Sequence, residues 1–136
     1  MKASLYIQGI TYPQSGYLPI SLEELPTIDR ASVEEITVVD SLDYCPNTSE
    51  LIETLADKLQ YGGILTIEST NIIAVMRGYR YGQISSVQLN QLLYHGKRSV
   101  VSNGDVVDIL KILGLNIIKQ SLQGFKYCIT AQRPKV

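Results

Sequence analysis

The sequence predicts a single α/β domain over residues 1–136. It should be a mostly parallel sheet with helices on its faces and an antiparallel hairpin at its C-terminal end. Two observations carry that expectation. Residues 35–68 read as strand, helix, Gly-Gly, strand, a βαβ unit whose strands are parallel and whose crossover is right-handed. Residues 115–122 and 125–131 read as two strands joined at Gln123-Gly124, a turn suited to a hairpin.

Taken in order, residues 2–8 form a short strand, because Leu5 and Ile7 alternate with Ser4 and Tyr6, and Gly9 ends it. Residues 9–16 hold Pro13, Gln14 and Ser15, which is loop chemistry. Residues 17–22 form a second extended piece, demoted to an edge by Pro19. Residues 23–32 are polar, carry Pro26 and read as a connection. The first strong strand holds Ile36, Val38 and Val39 and ends at Asp40. Asn47 then predicts a helix N-cap, with Glu50 in the capping-box position. Leu51, Ile52, Leu55 and Leu59 fall on one helical face. Gly62 and Gly63 are expected to terminate that helix, since glycine enters a left-handed turn without steric cost. Ile64, Leu65 and Ile67 form the next strand, ending at Glu68. Helical spacing returns at Val87, Leu89, Leu92 and Leu93, and again at Val106, Val107, Leu110 and Leu113, with Gly114 as the cap. In the last strand Phe125, Tyr127, Ile129 and Ala131 alternate with Lys126, Cys128 and Thr130.

Composition narrows the function classes. Hydrophobic residues are 45% and charged residues 18% of the chain, a globular balance. The formal net charge of -1 gives no global attraction to nucleic acid or an anionic membrane, so neither is expected as a partner. Cys45 and Cys128 are too few for a disulfide framework and are expected to be reduced, in a cytoplasmic setting. With His95 as the single histidine, no zinc site is expected. The N-terminus does not read as a signal peptide, and no apolar run approaches the ~20 residues of a membrane span.

Residues 31–46 resemble a stretch of short class I, S-adenosylmethionine-dependent methyltransferases. Ala31-Ser32-Val33-Glu34-Glu35-Ile36 stands where that family has an S-V-D-E-I strand start. Asp40-Ser41-Leu42-Asp43-Tyr44 occupies the family's H-V-L-E-H turn, matching at Leu42, with Asp43 in place of glutamate and both histidines missing. Leu59-Gln60-Tyr61-Gly62-Gly63-Ile64-Leu65 is similar to the family's L-K-P-G-G-x-L step, with Tyr61 in place of proline. Residues 106–133 are similar to its last helix and closing hairpin. The resemblance covers residues 31–133, about three quarters of the chain, and residues 1–30 are a degenerate N-terminal part.

The resemblance implies a Rossmann-like sheet, shortened by one strand, and S-adenosylmethionine as the cofactor. It places Gly9 in the loop after the first strand, Glu23 (with Glu24 as runner-up) as the acid that binds the ribose, and Asp40 and Leu42 at the cofactor turn. The family's Gly-rich loop is reduced here to Gly9 and Gly16, with Ile10, Tyr12 and Pro13 between them.

In open parallel sheets ligands bind beyond the carboxyl ends of the strands, where Asp40, Asp43 and Glu68 fall. Asp40 or Asp43 could take the proton of a methyl acceptor; the plainer reading is a pair of turn aspartates. Arg77, Arg80, Lys97 and Arg98 run together with Tyr79, Tyr81, Tyr94 and His95. Arg77, Arg80, Tyr81 and His95 are candidates for holding the acceptor, a small molecule or a glycan; the plainer reading is a solvated loop. His95, before Gly96, also suits a helix end, where an imidazolium meets the dipole.

Three readings follow: a methyltransferase with an unknown acceptor, a non-catalytic methyltransferase-fold module that binds or assembles, or a site for another nucleotide. A shortened sheet leaves an edge to cover, so a homo-oligomer, a homodimer in the simplest case, is expected.

Overall fold

The computed structural model describes residues 1–94, 97, 99 and 101–135. His95 and Arg98, named above, lie outside them. Among the described residues the sheet has six strands. They are β1 (Lys2–Tyr6), β2 (Leu18–Ser21), β3 (Val33–Val39), β4 (Leu59–Thr70), β5 (Asn116–Gln123) and β6 (Lys126–Gln132). Their spatial order is β2-β1-β3-β4-β6-β5. β2, β1, β3 and β4 are mutually parallel, while β6 runs antiparallel to both β4 and β5. The expected mostly parallel sheet with a C-terminal hairpin is what forms.

Strand register explains the alternation in the sequence. Ala3, Ile36, Leu65 and Ala131 stand in one row across the sheet, and Leu5, Val38, Ile67 and Ile129 in the next row on the same face. All eight are buried. Helix α1 (Thr48–Lys58) and helix α4 (Asn103–Ile112) pack against each other and close this face with Leu51, Ile52, Leu55, Val106 and Leu110. Each such fully buried aliphatic side chain contributes about 1.5–3 kcal/mol. Asn47 caps α1 by accepting from the Glu50 N–H at 3.1 Å, as its position predicts.

The opposite face carries the row Ser4, Thr37, Thr66, Thr130 and Lys119. No helix lies between β1 and β2; the loop between them folds back over the β1 end of this polar face. There the Gln14 N–H donates to Ser4 Oγ at 2.8 Å and the Tyr17 hydroxyl to Glu35 Oε1 at 2.7 Å.

Two elements differ from the expectation. Gly62 and Gly63 do not cap α1: the helix ends at Lys58, Leu59 is already extended, and both glycines lie inside β4. They form a bulge, where the β3–β4 register jumps between Val33/Leu59 and Glu35/Ile64. Gly62 has φ of +80°, and a Cβ on Gly63 would lie 2.8 Å from Gln60 O and 3.1 Å from Glu34 O. Residues 72–80, to which the sequence pattern assigns no helix and whose Arg77–Arg80 end has a solvated loop as its plainer reading, form helix α2 (Ile72–Arg80). Asn71 caps it, accepting from the Ala74 N–H, and its Gly78 sits against the Phe125 ring, where a Cβ would meet ring carbon at 3.0 Å. Helix α3 (Ser86–Leu93) follows, opened by a Ser85–Gln88 capping box.

Candidate functional site

Because β1, β3 and β4 are parallel, their carboxyl ends open on the same side, and the loops that follow them meet there. The loop after β1 is a tight turn. The Ile10 and Thr11 N–H groups both donate to the Ile7 carbonyl at 3.0 Å, and the Ile7 N–H donates to Thr11 Oγ1 at 2.8 Å. Thr11 Oγ1 lies 3.0 Å from Ser41 Oγ, which ties this turn to the loop after β3.

Asp40 ends β3 with φ of +55°, a left-handed conformation that Asp tolerates better than most residues. Its N–H still donates to the Glu68 carbonyl at 2.9 Å, so the backbone turns away only after the last sheet bond. The Asp40 carboxylate accepts from Lys126 Nζ at 2.7 Å, since β6 begins with Lys126 opposite Thr70, at the end of β4.

Three residues on, Asp43 is buried. Its Oδ2 accepts from Ser69 Oγ at 3.1 Å and pairs with Lys97 Nζ at 3.3 Å; Lys97 also donates to Thr70 Oγ1 and the Leu92 carbonyl. The Ser99 N–H donates to the Asp43 carbonyl at 3.0 Å. Asp43 therefore clamps the chain after α3 onto the strand ends. Its other oxygen, Oδ1, and the buried Tyr127 hydroxyl have no hydrogen-bond partner among the described residues. Burial first, and the Asp43 charge second, push the Tyr127 phenol well above its ordinary value; Ser69 opposes this, but its hydroxyl is committed to Asp43. Burial, then Asp43 and Asp40, also raise Tyr44, which keeps its phenol a neutral hydrogen-bonding group.

Together these loops enclose a cleft of about 480 Å3. Ile10 and Tyr12 form one wall, Asp40 and Tyr44 another, and Lys97 and Lys126 bring the positive charge. A larger, more open hollow of about 740 Å3 lies at the other end of β4, beside Tyr61 and Arg133. Arg133 is occupied there, stacked on Tyr61 at 4.5 Å and donating to the last carbonyls of α1. The smaller cleft is the better candidate, because titratable groups converge in it at the carboxyl ends of parallel strands.

The structure brings Asp40 and Asp43 together in this cleft. Gly9, with φ of +77°, sits in the turn just before the lining residues Ile10 to Tyr12. Leu42 has no exposed surface and packs in the core, so its side chain cannot reach a ligand. Glu23 is exposed beyond β2 and does not line the cleft; the residue that ends β2 is Ser21, whose hydroxyl donates to Glu24. Arg77, Arg80 and Tyr81 lie at the exposed end of α2, also outside the cleft lining. Lys126, Tyr44 and Thr11 went unmarked as site residues; the signal for Lys126 is its place as the first residue of an antiparallel strand facing the parallel strand ends. Among the described residues no three His, Cys, Asp or Glu side chains converge as metal ligands would.

No family model and no curated protein sequence matches the chain. Solved structures do. An S-adenosylmethionine-dependent methyltransferase from Archaeoglobus fulgidus superposes with a TM-score of 0.64 at 12% identity, over 96% of this chain and 75% of that one. A second, from Thermotoga maritima, gives 0.61 at 14% identity over 87% and 64%. Magnesium protoporphyrin IX methyltransferase from Synechocystis, solved with bound S-adenosylhomocysteine, gives 0.57 at 18% identity over 88% and 53%. The chain has the class I methyltransferase fold. The chain spans 36% of the length of a CurJ carbon methyltransferase and 64% of that of the Thermotoga protein. Among the described residues no helix is long and apolar enough to cross a membrane.

Proposed function

We propose that the chain is an S-adenosylmethionine-binding methyltransferase domain whose ligand lies in the strand-end cleft. The observation that carries this reading is the Asp40–Lys126 pair set beside Tyr44 at the carboxyl ends of β3 and β4. The donor set fits such a cofactor. Lys126 suits the methionine carboxylate, Asp40 can accept from the amine or the ribose hydroxyls, and Ile10, Tyr12 and Tyr44 offer flat or apolar walls to a purine. Bound there, the cofactor supplies an electrophilic methyl group on a sulfonium. Asp40, half-exposed, is the group placed to take a proton from an acceptor hydroxyl or amine. Asp43, locked to Lys97, holds the turn that presents Asp40 and acts as a positioning residue. The methyltransferases with the same fold, one of them holding S-adenosylhomocysteine, support the reading.

A second reading, a non-catalytic binding module, is favoured by one observation. β1 passes to β2 with no helix, so the loop after β1 presents no helix N-terminus to an anionic group of the cofactor. Calorimetric titration with S-adenosylmethionine and S-adenosylhomocysteine separates the two. Binding in the micromolar range supports the first; no heat and no thermal shift at millimolar ligand refutes it and leaves the module.

A further inference from the structure

The net charge of -1 averages over an uneven chain. Residues 69–104 contain no Asp or Glu, but hold Arg77, Arg80, Lys97 and Arg98. The other 100 residues carry all 13 acids against 8 basic residues. This acid-free segment builds α2 and α3, which pack on each other beyond the end of β4.

Helix α2 has two unlike faces. Val75 and Gly78 are buried, Gly78 against Phe125. Ile73, Met76, Arg77 and Arg80 recur at i, i+3, i+4 and i+7, which places them on the opposite, outward side. Ile73 is 54% and Met76 51% exposed, and Val87 at the start of α3 is 66% exposed. Tyr81, 67% exposed, carries the Arg80 guanidinium over its ring at 5.6 Å. Lys97 is committed to Asp43, so the outward cations of α2 are Arg77 and Arg80.

We infer that the outward face of α2, with Val87 and Tyr81, docks on an anionic membrane surface. Positive charge meets negative headgroups, tyrosines suit the headgroup level, and aliphatic side chains enter the acyl boundary. The aliphatic residues decide between a membrane and the other polyanion. A single-stranded nucleic acid needs cations and aromatic faces, and has no use for exposed Ile73, Met76 and Val87. The surface does not line the strand-end cleft, so this inference stands whether or not the proposed methyl transfer does.

The test is flotation of the purified chain with vesicles of phosphatidylcholine alone, or with about 30% phosphatidylserine, at about 0.1 M salt. A fluorescent oligo-uridine is titrated in parallel. Binding to the anionic vesicles only is expected. Arg77→Gln/Arg80→Gln should weaken it about thirtyfold, at about fivefold for each charge near the surface. Ile73→Ser/Met76→Ser should weaken vesicle binding too, while a thermal melt confirms that both variants stay folded. Equal partition into neutral and anionic vesicles, no partition at all, or indifference to both variants would overturn the inference. Tight oligo-uridine binding without vesicle binding would overturn it in favour of nucleic acid.

Discussion

Among the described residues the buried Asp43–Lys97 pair should be the most sensitive charge pair. Its side chains are 4% and 11% exposed, so solvent screens them little. Asp43→Asn keeps the shape and an acceptor for Ser69 Oγ, but leaves the Lys97 ammonium without a counter-charge. Breaking one partner of a buried pair costs about 3–5 kcal/mol. Lys97 retains Thr70 Oγ1 and the Leu92 carbonyl, which sets the expectation at the lower end, about 3 kcal/mol. For a domain of this size that lowers Tm by roughly 10 °C. Lys97→Met, which strands the carboxylate instead, should cost a similar amount. In Asp43→Asn/Lys97→Met no charge is left buried, so the double variant should lose less than the sum of the singles, with a coupling of at least about 1 kcal/mol. Thermal unfolding followed by circular dichroism, at low and high salt, reads all three. Single variants within about 1 kcal/mol of the parent, or strictly additive losses, would refute the clamp.

Three other outcomes follow. Asp40→Asn removes the charge of a half-exposed pair and keeps a residue suited to the left-handed turn, so stability should move by less than about 1 kcal/mol, while calorimetry should show S-adenosylhomocysteine affinity falling about tenfold. Gly63→Ala drives a Cβ against Gln60 O, Glu34 O and Val33 O, all backbone, and should cost about 2–3 kcal/mol in a urea melt. Tyr127→Phe discards a buried hydroxyl with no partner among the described residues, and at pH 7 should leave stability unchanged or raise it by about 1 kcal/mol. The same variant tests the alkaline limb. The folded phenol titrates above the ordinary value of 10.0, so both states hold the proton below that pH. Above it the unfolded chain releases its proton first, and the parent loses up to about 1.4 kcal/mol per pH unit that the Phe variant keeps.

Local signals were read well because they are settled within a few residues. The Asn47 cap, the Leu51–Ile52–Leu55 stripe and the alternation of β6 all have the structure their spacing implies. The misreadings share the opposite cause. A glycine pair after a helix looks the same whether it caps the helix or bulges a strand. What decides is the approach of Glu34 O and Val33 O from β3, which no local pattern contains. Helix α2 was hidden by Gly78, a residue poor for a helix interior, and that glycine is required by Phe125 from the other end of the chain. In the cleft, the rule of strand ends was enough to mark Asp40, but its partner Lys126 is 86 residues away and becomes visible only through the β4–β6 register.

The same alternation bears on how the fold and the ligand site are separable. Parallel strands covered by helices on both faces read as continuous apolar runs. Here β3 reads Ile36-Thr37-Val38 and β4 reads Leu65-Thr66-Ile67, and the threonines align across the sheet with Ser4 and Thr130. One face is built to be packed and the other to be polar. A sheet of that composition needs one helical layer, which α1 and α4 supply, so the absence of a helix between β1 and β2 leaves the hydrophobic core intact. What its absence changes is the strand-end cleft. An anionic group held beside the β1 loop would meet the ammonium of Lys126, a side-chain charge already shared with Asp40, and not the N-terminus of a helix after β1. Binding in this cleft then depends on the Asp40–Lys126 pair and on salt to a degree that the stability of the sheet does not.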